Sequence, residues 1–550
     1  MTRISYRPIS GSLEQVLRLV LLGLGSAIVY ATALLRFPLV GIYNYPLQNL
    51  DKLTLSDRAT GIVLAGSVLL LFASYATGAL LLDRAIALGP RGGRRLAPVV
   101  LGFPVLFIIL LLLVYPTTSV DLYDYLFRGR MLARYNANTF LLVPRDFRTD
   151  PLFPYVAWKG AVTAYGPLWE GMSWLVARLA GETSGAGGTN ATRDAELLRL
   201  LLAYKGLAVL GFGLCSVAIW AALGRLAPER RWFGLYLWLW NPLALWESIA
   251  AGHNDAWMAL LIVLAVWALG GQEGANARQG TSRPGSPAPV RPRARALLAL
   301  LALTAGGLIK YLTLVLVPVL LGAALGQLRT WPERRRLVLV GGLVGTVVVV
   351  LAYAPFWAGW ETLRNFSDRR ALFTASWLAA LQLWLLERGV ARELAQAIAA
   401  AIGLGLLCFG VIWATWQAWS APRAVAAHAL WLLLWFLFAC NPWFQPWYLL
   451  WALALVALQP WRIRLLWGVG LFCCTAMLSY VAGSFLRPAL GWDAESAAWN
   501  ALVSVLIYGP PLLALGWSYR ARGALVGQRL QGIWRALATG GKRDAVARQR

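Results

Sequence analysis

The feature that most constrains this chain is the recurrence of apolar runs about as long as a bilayer is thick. A hydrocarbon core of about 30 Å needs about 20 apolar residues in a helix. Such runs lie at Val16 to Leu35, Gly61 to Leu82, Ala97 to Val114 and Leu198 to Leu223. Others follow at Trp232 to Ile249, Ala256 to Gly270, Leu337 to Tyr353, Ile398 to Trp419, Leu465 to Val481 and Ala501 to Trp517. With 59% hydrophobic and 13% charged residues, the 550-residue chain carries more apolar surface than a water-soluble globule can hide. In lipid the backbone must satisfy its own polar groups, and runs of this length do so as helices, not as a barrel.

Two further apolar stretches are interrupted by polar residues, which predicts pairs of short helices folded as hairpins. One runs from Ala296 to Leu325 with GGLIKY at its centre, the other from Ala427 to Leu458 around NPWFQPW. The expected fold class is therefore an all-α polytopic membrane protein, a bundle of roughly 12 to 14 transmembrane helices with a large outer loop carrying short interfacial helices. The divisions read from the pattern are N-terminal spans over 1–115, an outer loop over 116–196, and spans with a GHND turn over 197–270. A cytoplasmic linker over 271–295, C-terminal spans with the two hairpins over 296–518 and a basic tail over 519–550 complete the chain. Gly181 to Thr192 reads as a flexible loop and Gln272 to Arg295 as a disordered stretch.

A formal charge of +26 would suggest nucleic acid as partner of a soluble protein. Its placement argues for a bilayer instead and against nucleic acid. Basic clusters occupy Asp83 to Arg95, Arg225 to Arg231, Arg278 to Arg295, Arg329 to Arg336 and the tail after Tyr519. They mark the cytoplasmic side of a cytoplasmic (inner) membrane, with both termini inside and the 116–196 segment outside. The first apolar run is long enough to span and shows no clear cleavage site, so no cleavable signal is expected. Cys215, Cys408, Cys440, Cys473 and Cys474 lie in apolar stretches without metal or disulfide spacing and read as packing residues.

The candidate chemistry begins in the outer loop, in YPTTSVDLYDYLFRGRMLARYNANTF, Tyr115 to Phe140. On a helix, Asp121 and Asp124 share a face and Arg128 lies one turn beyond Asp124. One reading pairs Asp124 with Arg128 on a solvated interfacial helix anchored by Tyr123, Tyr125 and Phe127. The other makes Asp121 or Asp124 a catalytic base. Further polar residues fall on the same side: Tyr165 to Glu170, Asn241-Pro242 with Glu247, the turn Gly252-His253-Asn254-Asp255, Lys310, and Asn441 to Trp447. Ionisable groups beside apolar helices are costly, so their presence points to a function.

The order SVDLYDYLFRGR, NAN, YGPLW, NPLALWE, GHNDAWM, KY and NPWFQPWYLLW resembles the polytopic GT-C glycosyltransferases, particularly the polyprenol-phosphate-mannose-dependent α-mannosyltransferases of actinobacteria. These blocks cover the chain from about Ser119 to Trp451. Family members often read GxNPY where this chain has Asn136-Ala137-Asn138-Thr139-Phe140. The resemblance implies a polyprenyl-phosphate sugar donor, with mannose as the sugar, a glycan or glycolipid acceptor, and catalysis at the outer membrane face. It further implies that the acidic motif, here Asp121 or Asp124, supplies the base.

For inverting transfer, a carboxylate takes the proton of the attacking hydroxyl, and cations stabilise the leaving phosphate. Lys310, Arg128 and Arg130 are candidates for the phosphate. Tyr165, Glu247, His253, Asn254, Asp255, Asn441, Trp443, Gln445 and Trp447 are candidates for sugar or acceptor. No cofactor is required, although Asp121, Asp124 or Asp255 has the oxygen chemistry to take a divalent metal. A transporter or flippase of lipid-linked sugars, or a lipid-linked oligosaccharide polymerase or ligase, would share the membrane setting. The first predicts charges near the midplane and related halves, and the second an elongated donor.

Overall fold

A computed structural model describes residues 10–181, 189–270, 292–364 and 374–516. The basic tail over 519–550, most of the 271–295 linker and most of the Gly181 to Thr192 loop lie outside the described residues, as does the start of the N-terminus. The described chain is helical throughout and contains no strands. Ten of its helices are long and apolar enough to cross a membrane, from Leu13–Arg36 and Arg58–Ala87 to Ile463–Ala489 and Ala497–Gly516. Shorter apolar helices at Asp255–Leu269, Tyr311–Gln327 and Pro446–Ala457 return beside them. The protein is a multi-pass membrane protein.

Side chains on the outside of the bundle show which solvent it faces. On Trp331–Tyr353, Leu339, Leu343, Val347 and Leu351 recur every four residues and all are exposed. Leu13, Leu17, Leu21, Leu24 and Ile28 make a similar stripe on Ser10–Arg36. Apolar stripes of this kind suit hydrocarbon and would be a penalty in water.

The bundle has two chemically different ends. At one, Arg230 joins Asp83 at 2.7 Å and the carbonyl of Pro460 at 3.1 Å, while Arg293 pairs with Glu333 at 2.9 Å. Arg295 donates to the Ala268 carbonyl and Arg334 to those of Leu325 and Leu328, so arginines close the last turns of neighbouring helices. The opposite end gathers the 116–180 segment, the 241–255 turn, Lys310 and Asn441 to Tyr448. There Gly166 N–H donates to the Ile309 carbonyl at 2.9 Å, and the Tyr311 hydroxyl to that of Tyr165 at 3.3 Å.

Helices break where the site end needs them to. Asn241 caps Pro242–Leu245 by accepting from Ala244 N–H at 3.1 Å, and Trp246–Ala250 is a widened i→i+5 turn. Helix Pro292–Ile309 stops at Lys310, whose extended backbone starts a tighter turn over Tyr311–Leu316. A second widened turn, Phe436–Cys440, precedes Asn441.

Such breaks free backbone carbonyls inside an apolar medium, and one side chain recovers three of them. Lys205, fully buried on the long helix Asn190–Leu226, donates from Nζ to the carbonyls of Val114 at 2.7 Å, Ile249 at 3.1 Å and Leu111 at 3.2 Å. It thereby ties the end of helix Pro90–Leu112 to the widened turn. Lys205→Met should leave these carbonyls without that donor and lower stability by about 3 kcal/mol, read as a lower unfolding midpoint in detergent. An unchanged midpoint would show that the bracket is dispensable.

Candidate active site

Asp121 opens the helix Asp121–Tyr135, and its backbone N–H is received by Ser119 Oγ at 3.1 Å. Asp124 lies one turn further in, so both carboxylates reach the same side, but their surroundings differ. Asp124 receives Arg128 Nε at 2.7 Å in a pair that is almost fully buried, and Arg128 also donates to the Ala161 carbonyl at 2.9 Å. The Asp121 side chain is 20% exposed. Its Oδ2 lies 3.3 Å from the Tyr165 hydroxyl, which is itself 3.1 Å from that of Tyr125. Burial first, and the Asp121 charge next, push the Tyr165 phenol well above its ordinary range, so it stays a donor.

These groups open on a cavity of about 350 Å³. Asp121, Asp124, Tyr165 and Lys310 line it on the polar side, and Trp443, Gln445 and Trp447 with Trp158 and Tyr448 provide flat walls. Trp158 and Trp443 rings meet at 6.1 Å. Lys310 Nζ reaches Asp255 Oδ1 at 3.1 Å and sits 4.8 Å from the Tyr448 ring centre, which fixes the ammonium at the cavity wall. Carboxylates, a cation and aromatic faces thus meet around one space. A larger cavity of about 440 Å³, between Ser10–Arg36 and Arg58–Ala87, is lined by neither carboxylate nor histidine.

Several residues read from the sequence stand elsewhere. Arg128 is not at the cavity wall, and its pairing with Asp124 is a buried one, not the solvated surface pair that spacing suggests. Arg130 is further removed from a donor phosphate: it pairs with Asp150 at 2.7 Å and with Glu196, both fully buried. Tyr135 adds its hydroxyl to Asp150 at 2.6 Å, and burial with that contact pushes its phenol up to about 12. Glu247, His253, Asn254 and Asp255 are fully buried and stand behind the wall. Asn441 is also buried and receives Trp443 N–H at 3.2 Å, shaping the turn that presents Trp443. Among the described residues, no group of three or more His, Cys, Asp or Glu side chains is arranged to hold a metal.

The sequence reading passed over residues that build this end. Glu170 accepts from Thr163 Oγ1 at 2.6 Å and Thr139 Oγ1 at 2.7 Å, joining the Asn136 to Phe140 turn to the start of Pro167–Ala180. Burial pushes its carboxyl up, against the pull of Arg128 and the two hydroxyls. Glu170 ends the polar stretch Tyr165 to Glu170 with no role of its own there, and Asp150, Glu196 and Trp158 stand in no motif. Arg130→Met should remove the cation that neutralises the buried Asp150 and Glu196 carboxylates and cost about 3 to 5 kcal/mol. Limited proteolysis of the 140–189 segment should then set in earlier, with donor affinity unchanged; weakened donor binding in a stable variant would return Arg130 to the phosphate.

No curated protein and no solved structure matches the chain. A family model described as alpha-(1->6)-mannopyranosyltransferase, N-terminal domain, matches residues 18–326, more than half of the 550 residues and all of the blocks from Ser119 to Lys310. A polytopic helical bundle that gathers an acidic motif, a lysine and tryptophan walls at one end is thus placed by its sequence, and the chain belongs to this MptA/B family of mannosyltransferases.

Proposed function

We propose that the protein transfers mannose from a polyprenyl-phosphate donor to a hydroxyl of a glycan or glycolipid, with inversion at the anomeric carbon. The observation that carries this reading is the cavity in which the Asp121 carboxylate and the Lys310 ammonium share a wall with Trp158, Trp443 and Trp447. The acceptor oxygen attacks C1, its proton passes to Asp121, and the C1–O bond to phosphate breaks with the electron pair leaving on polyprenyl phosphate. Lys310 stabilises the added negative charge as a point charge. The tryptophan faces take the apolar side of the sugar ring, and Gln445 and Tyr165 offer hydrogen bonds to its hydroxyls. The alpha-(1->6) linkage in the family's description supports the primary 6-hydroxyl of a mannose as the nucleophile.

Asp121 is preferred over Asp124 as the base because its side chain is the more exposed of the two, while Asp124 neutralises a buried arginine. The enzyme then works at the outer face of the cytoplasmic membrane, since its basic end is opposite the cavity. The family and the bilayer setting support this arrangement.

Purified protein in lipid, given radiolabelled polyprenyl-phosphate-mannose and mixed glycolipid acceptors, tests the reading. Asp121→Asn should lose at least about 100-fold of transfer while keeping its unfolding midpoint. Asp124→Asn should instead unfold earlier, because Arg128 is left buried without its carboxylate. Undiminished transfer by a folded Asp121→Asn would remove the proposed mechanism, and a wild type inactive with this donor would remove the proposed substrate.

A further inference from the structure

Glu247 and His253 are too deeply buried to touch a sugar, yet their geometry leads back to Asp121. His253 stands between two carboxylates: Nε2 is 3.4 Å from Glu247 Oε2, and Nδ1 is 3.9 Å from Asp121 Oδ2. The imidazole stacks on Trp447 at 3.9 Å between ring centres, and Trp447 lines the cavity. On the far side of Glu247, the Tyr480 hydroxyl adjoins both that carboxylate and Thr118. Thr118 and Asp121 belong to one short segment, so Thr118, Tyr480, Glu247, His253 and Asp121 gather from three separate parts of the chain, and the buried polar atoms of the Thr118, Tyr480, Glu247 and His253 side chains make no hydrogen bond in this arrangement.

The backbone is built to seat the histidine there. His253 N–H donates to the Glu247 carbonyl at 2.9 Å, and Gly252 takes a φ of +76°, which a side chain would strain. A Cβ at Gly252 would also press on Leu122, the residue after Asp121. The glycine therefore lets the turn approach the helix that carries the acidic motif.

We propose that Glu247 and His253 are a positioning pair for Asp121, with His253 donating its Nδ1–H to the carboxylate and Glu247 fixing that tautomer at Nε2. The inference rests on the reading of Asp121 as the base. The proton count is definite: a neutral imidazole has one N–H, so if Nδ1 carries it, Nε2 accepts a proton held by Glu247. Tyr480 then donates to the other Glu247 oxygen. The Nδ1–H favours the ionised form of Asp121 and holds its side chain toward the cavity. At 3.9 Å the two atoms are beyond hydrogen-bond reach, and the proposed bond requires that gap to shorten when substrate fills the site. Neither residue touches the substrate, and no proton leaves through the ring during transfer.

The test uses wild type, His253→Gln, Glu247→Gln and Glu247→Leu, with kcat and KM for radiolabelled polyprenyl-phosphate-mannose followed across pH. The titratable and charged groups facing His253 are Asp121, Glu247 and Lys310, and those facing Glu247 include Asp255 and Tyr480; all but the residue substituted are unchanged in each variant. His253→Gln should lower kcat about 10- to 100-fold with donor KM unchanged. Because a bond favouring the carboxylate is lost, the acid limb of kcat should move to higher pH by about half a unit to one unit.

Glu247→Gln keeps an N–H for Nε2 and a carbonyl for Tyr480, and should stay within about threefold of wild type; Glu247→Leu should behave like His253→Gln. A raised KM with kcat intact, an acid limb that does not move, or a Glu247→Gln variant as impaired as Glu247→Leu would each overturn the pair. A wild type without transfer would overturn the proposed function and this inference together, whereas an active wild type with an unmoved limb overturns the pair alone.

Discussion

The site end depends on one buried ammonium. Helix Pro90–Leu112 must stop, and the widened turn at Trp246–Ala250 must open, before the chain can present Asp121 and His253 to one another. Each event leaves carbonyls that lipid cannot satisfy. Lys205 satisfies one from each side and a third besides, from a helix that belongs to neither. Only a few residues separate Val114 from Asp121 and Ile249 from His253, so the bracket sets how closely the acidic motif and the GHND turn approach. A lysine suits this role because its three N–H donors radiate from a single atom.

The same logic of enclosed charge builds the rest of the outer segment. Arg130 draws the motif helix toward Asp150 and toward Glu196 on the long helix Asn190–Leu226, while Glu170 takes two threonine hydroxyls and lies near Arg128. Burial makes each of these groups expensive alone and restrictive in company. The scaffold therefore uses its ionised residues in matched sets, and the cavity is where a carboxylate and an ammonium are allowed partial exposure. Asp121 and Lys310, 20% and 17% exposed, mark that boundary.

Much of this was legible in the sequence because membrane helices obey length and composition so closely. The apolar runs predict the all-helical polytopic bundle, and the block order from Ser119 onward carries the family. The collection of Asp121, Tyr165, Lys310 and Trp443 around one space follows from placing those blocks at the same bundle end. What spacing could not supply was direction. An arginine four residues after an aspartate looks the same on a solvated surface as in a core, so the spacing offers the Asp124–Arg128 pair but not its burial, and it leaves Arg128 also a candidate for phosphate. Arg130 misled in the same way, because Asp150 and Glu196 are distant in sequence and belong to no motif. Lys205 did leave a signal, a lone lysine within the apolar run Leu198 to Leu223, and the rule that an ionisable group inside a membrane helix has a purpose applied to it. Its purpose is to receive no substrate but to join backbone ends.

The two aspartates of the motif show how three residues of separation produce different chemistry. Asp121 occupies the first helical position, where unpaired N–H groups and the helix dipole favour a carboxylate, and it faces a cavity on one side and a histidine on the other. Asp124 has advanced one turn, far enough to meet the arginine that the helix itself brings round at the following turn. Exchanging these roles would require Arg128 to leave a fully enclosed position and abandon the Ala161 carbonyl. The helix start thus leaves the first carboxylate at the cavity and enlists the second in the structure. A carboxylate at the beginning of a helix also remains attached to the preceding loop, so in the proposed mechanism the Thr118 to Asp121 segment can be tuned by Tyr480, Glu247 and His253 without disturbing the pairs that hold the helix in place.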